Sequence, residues 1–185
     1  MRALILWIAY QAFWFACVMG AGHGWLWSSP LALACFIPLR FIIGTRTRWR
    51  EDLLHMLTVG ALGFLVDSGF AATGLMSYAA PWPSAALAPL WIVMIWLAFA
   101  LTLRDGLGFL HERPLLAGIL GAVGAPLSYL GAARGFGVVK FPMGEGAALA
   151  ALAVAWFIAL PAAFMLMRLS LLPARLHARH LPGAR

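Results

Sequence analysis

Apolar residues along this chain fall into six long runs separated by short breaks rich in polar or turn-forming residues. The runs cover residues 3–20, 25–43, 53–76, 87–103, 114–133 and 146–171. An α-helix rises about 1.5 Å per residue, so about 20 apolar residues cross the roughly 30 Å of hydrocarbon in a bilayer. Each run is near that length. None alternates in polarity with a period of two, which excludes a closed β-barrel. Backbone amides in hydrocarbon must be satisfied within their own segment, so the runs are predicted to be helices. The breaks carry turn chemistry, with Gly22 and Gly24 in the first and Pro81 and Pro83 in the third. The predicted architecture is all-α: a polytopic bundle of six transmembrane helices, one integral membrane domain over residues 1–185.

Composition supports that pattern. Sixty-four per cent of the residues are apolar and 10% are charged, against about a quarter charged in an ordinary soluble domain. So little charge cannot cover a water-facing surface. The net charge of +7 raises nucleic acid as a partner, but the basic residues are scattered between apolar runs and form no groove or basic helix face, so none is expected. Basic residues instead report orientation, because cytoplasmic loops collect Lys and Arg. Arg2, Arg40, Arg46, Arg48, Arg50, Arg104, Arg113, Arg168, Arg175, Arg179 and Arg185 fall on one side; only Arg134 and Lys140 fall on the other. Both termini are therefore expected in the cytoplasm. Arg2 followed by an apolar run has the outline of a signal peptide, but the aromatic residues Trp7, Phe13, Trp14 and Phe15 and the further spans mark it as a retained first helix. Cys17 and Cys35 lie in apolar runs at unmatched depths and are expected to be small buried thiols.

Polar residues inside the apolar runs carry the candidate chemistry. Asp67 lies about 14 residues into the third run, roughly 21 Å from its cytoplasmic end. An ionisable group at that depth costs a few kcal/mol or more against lipid, so it should face the bundle interior. Gly60, Gly63, Ala71 and Gly74 share its face, a smooth surface that another helix can approach closely. Gly118, Ala122, Ala125, Tyr129 and Ala132 make a comparable stripe on the fifth run. Tyr129 sits about 22 Å from its own cytoplasmic end, so a Tyr129–Asp67 contact is expected. Asp67 is either a structural group hydrogen-bonded to a neighbouring helix or one with a ligand, proton or catalytic role.

The nine tryptophans divide by depth. Trp25, Trp27, Trp49 and Trp82 lie near the expected interfaces. Trp7, Trp14, Trp91, Trp96 and Trp156 are deeper and either pack the core or line a pocket for a hydrophobic ligand. Arg134, Lys140 and Glu145 are either solvated loop charges or the rim of an outward-opening cavity with Trp14 and Trp91. Arg40, Glu51, Asp52, His55, Arg104, Asp105, His111 and Glu112 gather at the cytoplasmic end, where salt bridges are expected; nothing has a recognised metal spacing. His177 and His180 are expected to be solvated in the basic tail near anionic lipid. Phosphate loops, nucleophile elbows and paired-histidine zinc helices are absent, which excludes the common nucleotide-driven pumps and familiar hydrolases. No pattern names a cofactor.

Four stretches together resemble one family: QAFWF at 11–15, residues 63–74 around Asp67, APLWIVMIWLAFALTL at 88–103, and GAPLSYLG at 124–131. This is the uncharacterised bacterial inner-membrane family catalogued as domain of unknown function 2878. The resemblance covers nearly the whole chain. It implies a short multi-pass protein of the bacterial inner membrane, sometimes encoded beside fatty-acid-modifying enzymes, with no established activity. The family usually has an Asn-His type pair after the fourth-run Thr-Leu, where Arg104 and Asp105 stand here. Pro81, Trp82 and Pro83 give a weaker, compositional likeness to the tryptophan-rich sensory proteins, which have five spans. The leading expectation is a bundle that binds or moves a hydrophobic or amphipathic small molecule such as a membrane lipid. Asp67, Tyr129 and Arg134 would supply polar anchors, and Trp14 and Trp91 the aromatic walls. The rivals are a membrane enzyme or enzyme subunit acting on acyl chains, with Asp67 as acid or base, and a structural partner of another membrane protein.

Overall fold

The computed structural model describes residues 2–44 and 49–179, the last ten by backbone alone. Arg46, Arg48, His180 and Arg185 lie outside the described residues, and the side chains of Arg175, His177 and Arg179 outside the described side chains. Six helices form: α1 (Arg2–Gly22), α2 (Ser28–Ile43), α3 (Trp49–Ala72), α4 (Leu90–Gly106), α5 (Pro114–Phe136) and α6 (Glu145–Arg179). Four of them, α1, α3, α5 and the Glu145–Leu169 part of α6, are long and apolar enough to cross a membrane. The other two are shorter, α2 with 16 residues and α4 with 17.

Local chemistry sets the ends. Helix α3 stops at Ala72, short of the expected residue 76, because Gly74 takes a left-handed conformation (φ 74°) and the Met76 N–H turns back to the Phe70 carbonyl. Helix α5 ends the same way, with Gly137 at φ 66° and the Val138 N–H on the Ala132 carbonyl. Helix α4 starts at Leu90, after Pro89 in an extended conformation at its N-cap; proline lacks the N–H that an earlier helical turn would use. The chain between α3 and α4 then folds back as β1 (Ser77–Tyr78), which pairs antiparallel with β2 (Val139–Lys140) from the α5–α6 connection. Residue patterning did not announce this two-stranded clasp.

Helix α4 is the core of the bundle and packs against α1, α2 and α3. Its buried positions include Trp91, Trp96, Phe99 and Leu103. The small-residue face expected on α3 meets α4: a Cβ on Gly60 would lie 2.5 Å from Leu97, and one on Gly63 would lie 2.1 Å from the Trp96 ring. Helix α5 packs on α6 in the same manner, with Gly118 against Phe157 and Gly121 against the Trp156 carbonyl. Both cysteines are free; Cys17 is buried, whereas Cys35 is exposed on α2, contrary to the expectation of two buried thiols. The 3.6-residue period turns it onto the flank opposite the buried Leu33 and Phe36.

The end at which α2 and α4 finish and α3 begins holds a buried ion cluster. Arg40 is 1% exposed, with Nη2 3.2 Å from Asp105 Oδ2 and 3.9 Å from Asp52 Oδ2, and Arg104 Nη1 is 3.8 Å from Asp52 Oδ1. Arg40 Nε also donates to the Leu101 carbonyl at 3.4 Å. These contacts tie three helices together across the expected salt-bridge group.

Candidate functional site

Asp67 is completely buried, and three donors from three other elements converge on it. The Tyr129 hydroxyl of α5 donates to Oδ1 at 2.5 Å, the contact that matched depths predicted. The Tyr78 hydroxyl of β1 donates to the same oxygen at 2.8 Å, and the Trp96 indole N–H of α4 donates to Oδ2 at 2.8 Å. Two of the donors, Trp96 and Tyr78, are held from behind. Gly63 lets the Trp96 ring lie flat on α3, and Trp156 of α6 stacks on the ring, with centroids 4.4 Å apart and planes 21° from parallel. Tyr78 is carried inward by β1 and packs edge-on against Trp91, whose N–H donates to the Ala79 carbonyl at 2.9 Å. Burial, together with the neighbouring Asp67 charge and hydrogen bond, holds the Tyr78 phenol above its ordinary range. It therefore remains a donor at physiological pH.

Beside this carboxylate knot lies a cavity of about 390 Å³. Helices α1 and α5 flank it: Trp7, Tyr10 and Trp14 project from one side and Gly121, Ala125 and Tyr129 from the other. Trp91, Trp96 and Phe99 of α4 and Trp156 of α6 complete the wall. Helices α1 and α5 meet where Phe136 packs edge-on against Trp14 and Phe15. Gln11, Gly124 and Ser128 also line the cavity and are exposed, so it opens on the flank of the bundle between these two helices. None of its lining residues is Asp, Glu, Lys, Arg or His.

Of the residues singled out from the sequence, Trp14, Trp91 and Tyr129 line this cavity together. Asp67 stands behind its wall and reaches it through Tyr129 and Trp96. Arg134 lies at the end of α5, where its Nη2 donates to Glu145 Oε1 at 2.6 Å with both side chains largely exposed. Exposed pairs contribute little, so Arg134→Ala should change thermal stability by less than about 1 kcal/mol in detergent. Trp156, one of the deep tryptophans expected either to pack the core or to line a pocket, lines the cavity. Trp96 and Tyr78 as Asp67 partners, and Tyr10 as a cavity wall, were not predicted. Their available signal was residue type, since the chain has only three tyrosines and all three are buried around this site. Among the described residues no three His, Cys, Asp or Glu side chains are grouped to hold a metal ion.

A family profile described as "Protein of unknown function (DUF2878)" matches residues 3–162. No curated protein and no solved structure matches the chain. The match runs from the start of α1 into α6 and takes in Asp67, its three donors and every residue that lines the cavity, so this chain belongs to the DUF2878 family.

Proposed function

We propose that this protein crosses a bacterial inner membrane six times, with both termini in the cytoplasm, and binds or moves a hydrophobic or amphipathic small molecule such as a lipid in the α1–α5 cavity. The cavity is the observation that carries the reading. Its size lies in the range of small-molecule sites, and its wall is apolar and aromatic with a few polar groups. Because its opening is on the flank, where lipid chains would lie, a ligand can enter sideways from the bilayer without crossing water.

Six crossings are supported by the short connections and by the one-sided distribution of basic residues. The shorter α2 and α4 fit a membrane at modest cost, because α4 is enclosed by protein and a short hydrophobic helix is accommodated by local thinning. Asp67 acts as a pin: with both oxygens engaged, it fixes the Tyr129 and Trp96 rings that form the cavity wall.

Gly124 supplies the test. It lines the cavity at its opening, and a Cβ there would meet no atom within 4 Å, so Gly124→Leu should obstruct the cavity mouth without disturbing helix packing. Protein purified in detergent is expected to retain an apolar compound in roughly stoichiometric amount, identified by mass spectrometry of the extract, and the variant should retain several-fold less. Extracts that match bulk micelle lipid for both proteins would overturn the reading.

A further inference from the structure

Four aromatic residues of the cavity wall turn their polar hydrogens away, onto acceptors of the protein. The Trp7 N–H donates to the Gly106 carbonyl at 3.3 Å and the Trp91 N–H to the Ala79 carbonyl at 2.9 Å, while Trp96 and Tyr129 donate to Asp67. What such groups have left to offer a ligand is their π-systems, which are negative at the face. Among the described residues no ring stacks on Trp7, Trp14 or Trp91, whose aromatic contacts are edge-on. No Lys, Arg or His lines the cavity to attract an anion.

Asp67 adds a charge of the same sign. It is completely buried, its partners are two phenols and an indole, and it forms no ion pair among the described residues. A buried carboxylate with no cation beside it is costly, and neutral hydrogen bonds offset only part of that cost. Two of its donors, Trp96 and Tyr129, are themselves cavity wall, so the carboxylate stands one side chain away from the cavity. Water and salt screen its field little at that depth.

Resting on the cavity reading above, we infer that the ligand carries one positive charge on an apolar body, an ammonium drawn by the tryptophan rings and by Asp67 behind them. Cations are attracted to the faces of aromatic rings, of tryptophan above all, and more strongly where water is excluded. Two sources share that chemistry: a free long-chain amine or quaternary ammonium, and the choline-type end of a lipid.

The test is displacement, in non-ionic detergent, of a brominated alkane that quenches tryptophan fluorescence from within the cavity. The competitors share one chain length: an alkyltrimethylammonium, its neutral isostere with carbon in place of nitrogen, an alkylsulfonate and an alkylphosphocholine. The ammonium should displace the probe about tenfold more tightly than the isostere, as expected for a desolvated cation among aromatic rings. The sulfonate should be the weakest. A phosphocholine tighter than the ammonium names a lipid headgroup as the source, and the reverse order names a free cation. Asp67→Asn keeps an acceptor for the tyrosines and removes the charge, and should cut the preference for ammonium over isostere several-fold. Trp14→Leu leaves the hydrogen bonds to Asp67 in place and should cut the same preference by removing one ring.

Equal affinity for the ammonium and its carbon isostere would overturn the inference while leaving the cavity reading intact. So would a preference for the sulfonate, or an ammonium preference that neither variant reduces. If none of the competitors displaces the probe and Gly124→Leu does not alter quenching, the cavity reading itself fails.

Discussion

Replacing Asp67 with leucine is expected to lower the unfolding free energy by about 3 kcal/mol or more. The size follows from the three donors that would lose their acceptor together, at about 1 kcal/mol each for buried interhelical hydrogen bonds. Leucine also brings no oxygen to the point where α3, α4, α5 and β1 meet. Asp67→Asn should be milder, at about 1–2 kcal/mol. Its carbonyl can still accept from the two tyrosines, but its amide nitrogen then faces the Trp96 N–H, donor against donor. Unfolding followed by tryptophan fluorescence in mixed micelles checks both, and the order wild type, Asn, Leu is the signature of an acceptor-only role. Two variants indistinguishable from wild type would show that the three hydrogen bonds contribute nothing.

Gly63→Ala is expected to destabilise the protein by about 2 kcal/mol net, against the usual direction for a helix interior. Alanine there ordinarily stabilises by about 1 kcal/mol, because glycine loses more conformational freedom on folding. Here the new Cβ would lie 2.1 Å from Cγ and Cδ2 of Trp96, and overpacking of this kind costs about 1–3 kcal/mol, occasionally more. The ring cannot retreat freely, because Trp156 stacks on its other face and Asp67 holds its N–H. Displacing it should also distort the cavity wall and shift tryptophan emission. Gly69→Ala is the control, on the same helix with no atom within 4 Å of the place its methyl would take, and should be neutral or slightly stabilising. Equal effects at the two positions would mean that α3 and α4 do not approach so closely.

Much of this arrangement is legible in the residues once depth along each helix is counted. The Tyr129–Asp67 pair follows from equal rise on two runs that start at the same end. The glycine faces of α3 and α5 follow from three- and four-residue spacing, and the structure uses both for close packing. The five deep tryptophans, Trp7, Trp14, Trp91, Trp96 and Trp156, all line the cavity; depth separated them from the exposed Trp25, Trp27, Trp49 and Trp82. Tyr78 was not legible, because it lies on a connection and its position depends on how the chain reverses after Gly74 and pairs with β2. Nor was Trp96 as the third donor, since the rotation of α4 against α3 sets which way its N–H points.

Residue order was enough to set the number of helices, their approximate bounds and the burial of Asp67. These follow from hydrogen bonds closed within each segment and from the cost of charge away from water, both of which belong to single residues or single runs. Three outcomes needed the assembled bundle: which donors meet Asp67, that Arg134 pairs with Glu145 away from the cavity, and that α1 and α5 stand far enough apart to leave a flank-opening cavity. They depend on the relative rotation and spacing of helices, which a glycine's missing side chain permits but no single run can specify.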